Sequence, residues 1–212
     1  MKVIFLDLGG VIFKTKGIEK AFISLINEEL IEEQNDKAKR CKKEFIRLMN
    51  GIIDDNEFYN NMSLITKKDV NYCKKFVNFI EYHINIDLII RIKNLKPKIR
   101  MGIISDTTNI IYKLVEDNIQ NIYDIFDKDL IFLSYIEKDS KYLGEVGYFE
   151  KIIKKLSIEP KDIIFIDDEI KNIENAKKCG IRTIHYDKYN EEIAENKKII
   201  KSIKKEKKFD IF

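Results

Sequence analysis

The chain has 212 residues, room for one large domain or for one domain carrying a smaller inserted one. Charged side chains make up 35% of it but nearly cancel to a net +3, which gives no reason to expect nucleic acid or another polyanion as partner. Cys41, Cys73 and Cys179 lie far apart with no CxxC pair, which argues against a zinc site and fits a reducing cytosol.

Val3-Ile4-Phe5-Leu6 is a short apolar run cut off by Asp7, the pattern of a buried strand. It is too short for a signal peptide. No later stretch approaches the roughly 18 apolar residues that cross a bilayer, so a cytoplasmic protein without membrane contact is expected. About 70 residues that read as helical follow, more than a single crossover needs. Stripes at Phe22, Leu25, Ile26 and Leu30, at Phe45, Leu48, Met49 and Ile52, and at Phe76, Phe79 and Ile80 each mark a helix. Asp54 with Glu57 three residues on reads as a capping box opening another, which carries Phe58 and Met62. Residues 15–87 are therefore expected to form an inserted all-helical subdomain, with 1–14 and 88–212 as the core.

Leu88, Ile89, Ile92 and Leu95 predict the next helix, and Met101-Gly102-Ile103-Ile104 the second strong strand. Leu130 to Leu133 is a weaker strand candidate. Phe149, Ile152, Ile153 and Leu156 predict a helix ending before Pro160, and Ile163-Ile164-Phe165-Ile166 the third strong strand. Ile170, Ile173 and Ala176 predict a helix stopped at Gly180, with Arg182 to Tyr186 as a last, weaker strand. The strong strands are apolar throughout rather than alternating, so helices should cover both faces of a parallel sheet in an α/β fold. The Lys-rich tail from Asn190 to Phe212 is expected to be a helix with a solvated face.

In such sheets ligands bind beyond the carboxyl ends of the strands. Those ends are Asp7-Leu8-Gly9-Gly10, Ser105-Asp106-Thr107 and Asp167-Asp168. Converging carboxylates repel by about 4 kcal/mol per pair at 4 Å and an effective dielectric near 20. A hard divalent cation such as Mg²⁺ is the natural counter-charge. It can neutralise a phosphoryl group while a carboxylate attacks it. Gly9 and Gly10 let the backbone approach a ligand, and Ser105 can donate to a phosphate oxygen.

Phe5-Leu6-Asp7-Leu8-Gly9-Gly10-Val11-Ile12 resembles motif I of the haloacid dehalogenase-like superfamily. Ile103-Ile104-Ser105-Asp106-Thr107 resembles motif II, and Phe165-Ile166-Asp167-Asp168 with Asn172 and Gly180 resembles motif IV. The Gly51-Ile52-Ile53-Asp54 stretch with Phe58 is similar to the small helical cap, type C1, of a sugar-phosphatase-like branch with an Asp-Leu-Gly motif I. The resemblance implies a Rossmann-like core with the cap inserted after the first strand. It implies Asp7 as nucleophile, Ser105 and a motif III lysine as catalytic partners, and Gly9, Gly10, Ser105, Asp106 and that lysine around the phosphate. Magnesium would be held by Asp7, the Gly9 carbonyl and Asp168, with Asp167 close by. Spacing from Ser134 points to Lys141 as the lysine, with Lys138 the alternate; the following loop departs from the family's pattern, and Phe149 arrives about two residues late.

Two further departures bear on activity. Gly9 stands where the family carries its general acid/base aspartate, worth about 10²–10⁴-fold in rate. Asp106 stands where motif II usually has Asn, adding negative charge beside the phosphate pocket. The reading that follows is a Mg²⁺-dependent phosphatase of a small phosphorylated metabolite such as a sugar phosphate, monomeric or a homodimer. The alternatives are a non-catalytic binding protein of the same fold and a 2-haloacid dehalogenase. His83 is expected to be structural, and His185 to lie in a strand away from the strand ends.

Overall fold

A computed structural model describes residues 2–15, 17–27, 30–94, 99–119, 121–187 and 192–208. All five expected strands form. In chain order the strands are β1 (Val3–Leu6), β2 (Phe13–Thr15), β3 (Tyr82–Ile84), β4 (Arg100–Ser105), β5 (Ile131–Leu133), β6 (Ile163–Asp167) and β7 (Arg182–His185). Five of them make one parallel sheet in the order β5-β4-β1-β6-β7, with Val3 level with Arg100 on one side and Ile163 on the other. The α/β class expected from the uninterrupted apolar runs is the one observed.

Those runs are apolar because both faces are covered. Ile4, Leu6, Ile164 and Ile166 belong to one core layer. Val3, Phe5, Ile163 and Phe165 belong to the other, with Tyr148, Phe149 and Ile152. Here Phe149 meets Phe165 edge-on at 5.3 Å, and Phe5 meets Phe132 at 5.8 Å. Gly102 makes room for this packing: a Cβ there would sit 2.5 Å from the Phe5 ring and 2.2 Å from the Leu130 carbonyl oxygen.

The layer helices are α5 (Ile86–Lys93), α6 (Asn109–Asn118), α7 (Ser134–Glu137), α8 (Lys141–Leu156), α9 (Ile170–Lys178) and α10 (Glu192–Lys208), preceded by α1 (Ile18–Ile26), α2 (Ile31–Met49), α3 (Asp55–Thr66) and α4 (Val70–Cys73). Gly180 stops α9 as expected: at φ 80° it donates to the Lys177 carbonyl while Ile181 donates to Ala176. Leu95 and Asn190 lie outside the described residues. Among those described, no helix is long and apolar enough to cross a membrane.

Helices α1 to α4 lie between β2 and β3, which pair antiparallel as a two-stranded ribbon. That ribbon is too short, at three residues a strand, to show any period in the sequence. The helices share an aromatic centre in which Phe22 stacks on Phe76 at 4.4 Å, with Phe45 and Phe58 edge-on to it. Asp54 caps α3, accepting from the Glu57 amide at 2.8 Å. Three sequence expectations fail here. Asn27 turns left-handed and ends α1, so Leu30 falls outside the stripe and is 62% exposed. Gly51, at φ 65°, ends the α2 turn, leaving Ile52 61% exposed. Phe76 and Phe79 sit in a 3-10 turn (Lys74–Phe79) rather than an α-helix.

The Lys-rich tail forms the expected helix with a solvated face, at Lys197, Lys198, Lys201, Lys204 and Lys205, and a second face that was not foreseen. Helix α10 buries Ile199, Ile200 and Ile203, together with Asn196. Its lysines are so frequent that they mask an apolar stripe at helical spacing.

Candidate active site

The carboxyl ends of β1, β4 and β6 lie side by side, because these three strands are neighbours in the sheet. They deliver Asp7, Ser105 and Asp167-Asp168 to one rim. The chain leaves β1 through a tight turn in which the Ile12 and Phe13 amides donate to the Leu8 carbonyl. Gly10 is required there. It has φ 72°, and a Cβ would sit 2.0 Å from Asp168 Oδ2. Gly9 is different, since a Cβ on it would meet no atom within 4 Å.

Lys141 is the hub. It is 1% exposed, and its Nζ lies 2.8 Å from Asp7 Oδ2 and 2.6 Å from Asp167 Oδ2. The ammonium also stands 5.4 Å from the centre of the Phe165 ring. Burial works against its charge, but Asp167 and Asp7 outweigh that and hold its pKa above the usual lysine value. Lys138 is elsewhere: it ends α7 in a left-handed conformation, its stem near Gly51. Glu145, at φ 47° and ψ −120°, breaks α8 after its first turn.

Asp7 is buried, and its Oδ1 accepts from the Leu8 amide at 2.7 Å. Burial raises its pKa, against the pull of Lys141. Asp167 is fully committed: Oδ2 takes Lys141, while Oδ1 takes the Glu169 amide at 2.7 Å, and the Asn172 amide reaches both oxygens. Asp7, Asp167 and Asp168 present carboxylate oxygens within 4.8 Å of one another, a hard-oxygen set that fits Mg²⁺. Ser105 Oγ is buried beside the Asp7 carboxylate and forms no hydrogen bond of normal geometry, so its donor can turn to a ligand. Asp106 turns toward α8 instead: its two oxygens accept from the Lys141 amide at 2.9 Å and the Tyr142 amide at 3.0 Å. Burial raises the Asp106 carboxyl too, opposed by Lys141 and by these two amides.

A cleft of about 460 Å³ opens over these groups, although Ser105 and Asp167 lie behind its lining. Its lining includes Asp7, Gly9, Gly10, Asp106, Lys141 and Asp168 from the sequence-derived set. It also includes Met49, Tyr142, Glu169 and Lys171, which no motif marks. Met49 arrives from α2, held by its carbonyl accepting from Ser134 Oγ at 2.6 Å. His185 corrects its expected position. It is the last residue of β7, level with Asp167, and its Nε2 lies 3.0 Å from the Asp168 carbonyl oxygen. The strand register carries that signal, and a lone histidine in the sequence does not. His83 is exposed on β3.

No protein-family model matches the chain, and no curated protein matches it in sequence. Solved structures do match. A HAD family enzyme from Bacteroides thetaiotaomicron, in complex with magnesium and inorganic phosphate, superposes with a TM-score of 0.75 at 24% identity, over 90% of this chain and 96% of that one. A predicted HAD-like family hydrolase from Porphyromonas gingivalis matches with a TM-score of 0.73 at 20% identity, over 94% and 98%. The L-2-haloacid dehalogenase of Xanthobacter autotrophicus, with chloropropionic acid covalently bound, is more distant, at 0.55 and 12%, over 87% and 77%. The chain thus shares the fold of haloacid dehalogenase-like proteins.

Proposed function

We propose that the protein is a Mg²⁺-dependent phosphatase of small phosphorylated metabolites, with Asp7 as nucleophile. One observation carries the reading: a buried carboxylate at the end of a central strand touches a buried ammonium and adjoins two further carboxylates, at the edge of a solvent-open cleft. The magnesium-and-phosphate complex of the Bacteroides enzyme supports it.

Asp7 attacks phosphorus, forming an aspartyl-phosphate as the ester P–O bond breaks and the leaving oxygen departs with its electron pair. Lys141 lies beside the nucleophile and offsets the phosphoryl charge, while Ser105 Oγ donates to a phosphoryl oxygen. Asp167 fixes the Lys141 ammonium from behind. Asp7, Asp168 and the Gly9 carbonyl, with Asp167 adjoining, would hold a magnesium ion, which would supply Lewis-acid polarisation of the phosphoryl group. Water then cleaves the aspartyl-phosphate. Gly9 brings no acid, so the rate depends steeply on the leaving group, although the space beside it would take a side chain. The helical segment 15–87 acts as a cap over the core 1–14 and 88–212, and Met49 is its reach into the cleft. Sugar phosphates are the metabolite class suggested by the resemblance to the Asp-Leu-Gly branch.

The test is hydrolysis of an aryl phosphate with and without Mg²⁺. Turnover that needs Mg²⁺ and falls by at least about 10⁴-fold in Asp7→Asn is expected. No turnover on a broad phosphate panel with the metal bound would sink the proposal in favour of a non-catalytic ligand-binding protein. Halide release from a 2-haloacid would point to a dehalogenase.

A further inference from the structure

The first turn of α8 holds Lys141, yet little of the helix holds that turn. Glu145 breaks the helical path after Gly144, so the turn is not kept in place by a continuous ladder behind it. A helix start leaves its first amides without intrahelical acceptors. Here the first two are met from outside the turn, and the next two by the N-cap residue Ser140. The Lys141 and Tyr142 amides donate to Asp106 Oδ1 and Oδ2, and the Leu143 amide donates to Ser140 Oγ at 3.0 Å. The Gly144 amide closes on the Ser140 carbonyl at 2.7 Å.

Asp106 is thus the link between β4 and this turn. It directly follows the strand that carries Ser105, and it grips the backbone of the residue whose Nζ must lie between Asp7 and Asp167. Its chemistry suits that task better than an amide would. A carboxylate offers two acceptor oxygens and a negative charge, which a helix N-terminus favours. Asparagine has one acceptor oxygen, and its NH₂ would face a second N–H donor. The grip also occupies the two amides that could otherwise bind an anion.

We propose that Asp106 is a positioning residue: by spanning the Lys141 and Tyr142 amides, its carboxylate sets the first turn of α8 so that the Lys141 ammonium bridges Asp7 and Asp167. The inference rests on the phosphatase reading for its kinetic consequence, but not for its structural one. It differs from a role in contacting phosphate, where the charge of Asp106 would repel the ligand and its removal would tighten binding.

Asp106→Asn separates the two roles. With an aryl phosphate and Mg²⁺, kcat should fall about 10- to 100-fold, the cost of losing a charge-assisted hydrogen bond. KM and inhibition by inorganic phosphate should stay within about twofold, as for an interaction felt in the transition state. Amide hydrogen exchange gives a readout that needs no activity. The Lys141 and Tyr142 amides should exchange about 10- to 100-fold faster in the variant, while those of β1 and β4 do not change. Unchanged exchange at Lys141 and Tyr142 overturns the proposal, as does tighter phosphate inhibition with undiminished kcat. If the wild-type chain hydrolyses no phosphate but the exchange result holds, the phosphatase reading fails and the positioning role stands. Asp106→Ala, which removes both acceptors, should accelerate exchange further; equal exchange in the two variants would also count against the proposal.

Discussion

Asn85, Tyr186 and Asn196 form a buried cluster of neutral side chains hydrogen-bonded to one another, with Lys14 and Asp87 meeting it only from its edge. Asn196 Nδ2 donates to Asn85 Oδ1 at 2.9 Å, and its Oδ1 accepts from Tyr186 Oη at 3.1 Å. Asn85 Nδ2 reaches Tyr186 Oη at 2.9 Å and the Val11 carbonyl at 3.1 Å, and Asn85 Oδ1 caps α5 through the Leu88 amide. The cluster around Lys141 differs at every point. It gathers Asp7, Asp106 and Asp167 about one ammonium, adds Asp168 nearby, and leaves Ser105 Oγ without a hydrogen bond of normal geometry. A cluster that only has to hold the chain together can be built from neutral groups, each of them hydrogen-bonded. One that must meet a cation and an anion keeps excess charge and a spare donor, at a cost in stability.

The largest expected effect tests that contrast at Lys141. Lys141→Met leaves Asp7 and Asp167 buried without their cation, which should destabilise the fold by about 3–5 kcal/mol in chemical denaturation without metal. Millimolar Mg²⁺ should recover much of that loss, because the cation supplies the missing charge. A variant as stable as wild type without metal would break the contrast.

Asn196→Leu probes the neutral cluster. It strands donors and acceptors on Asn85 and Tyr186, for an expected loss of about 2–3 kcal/mol. Magnesium should not rescue it, and kcat should remain near the wild-type value. A large fall in kcat at intact stability would show that this cluster is not purely structural.

The smallest effect sharpens the boundary between the clusters and the surface. Asp87 accepts from Arg91 at 2.8 Å and from Asn196 at 3.2 Å, tying α5 to α10. The Arg91 hydrogen bond lowers its pKa below the ordinary value of 3.8. A carboxylate depressed on folding stabilises above its unfolded pKa and loses that contribution as pH falls through the folded value. The gap in thermal midpoint between wild type and Asp87→Asn should therefore be small at pH 7 and shrink as pH falls below the ordinary carboxylate range. A gap that persists in acid would assign the effect to packing.

Much was legible in the chain alone. Continuous apolar runs ending in Asp7, Ser105 and Asp167-Asp168 named the strands and the rim, since a strand buried on both faces cannot alternate. The helices α1 and α2 were visible in their Phe22 and Phe45 stripes, while the Phe76 stripe proved to be a 3-10 turn. Leu30, Ile52 and the α10 stripe were misread because apolar spacing does not show where a left-handed Asn27 or Gly51 cuts the helix, or which face a neighbour covers.

The sequence by itself determined the strand ends and the residue types they carry, since these follow from local pattern and from what carboxylates demand of a counter-ion. Only the tertiary structure decided which lysine stands between Asp7 and Asp167, because that depends on the turn at Glu145 and on a carboxylate 35 positions away gripping the Lys141 backbone. It alone placed Met49 and His185 at the rim, by the contact of α2 with Ser134 and by strand register. Such contacts join residues far apart in the chain, and no local spacing encodes them.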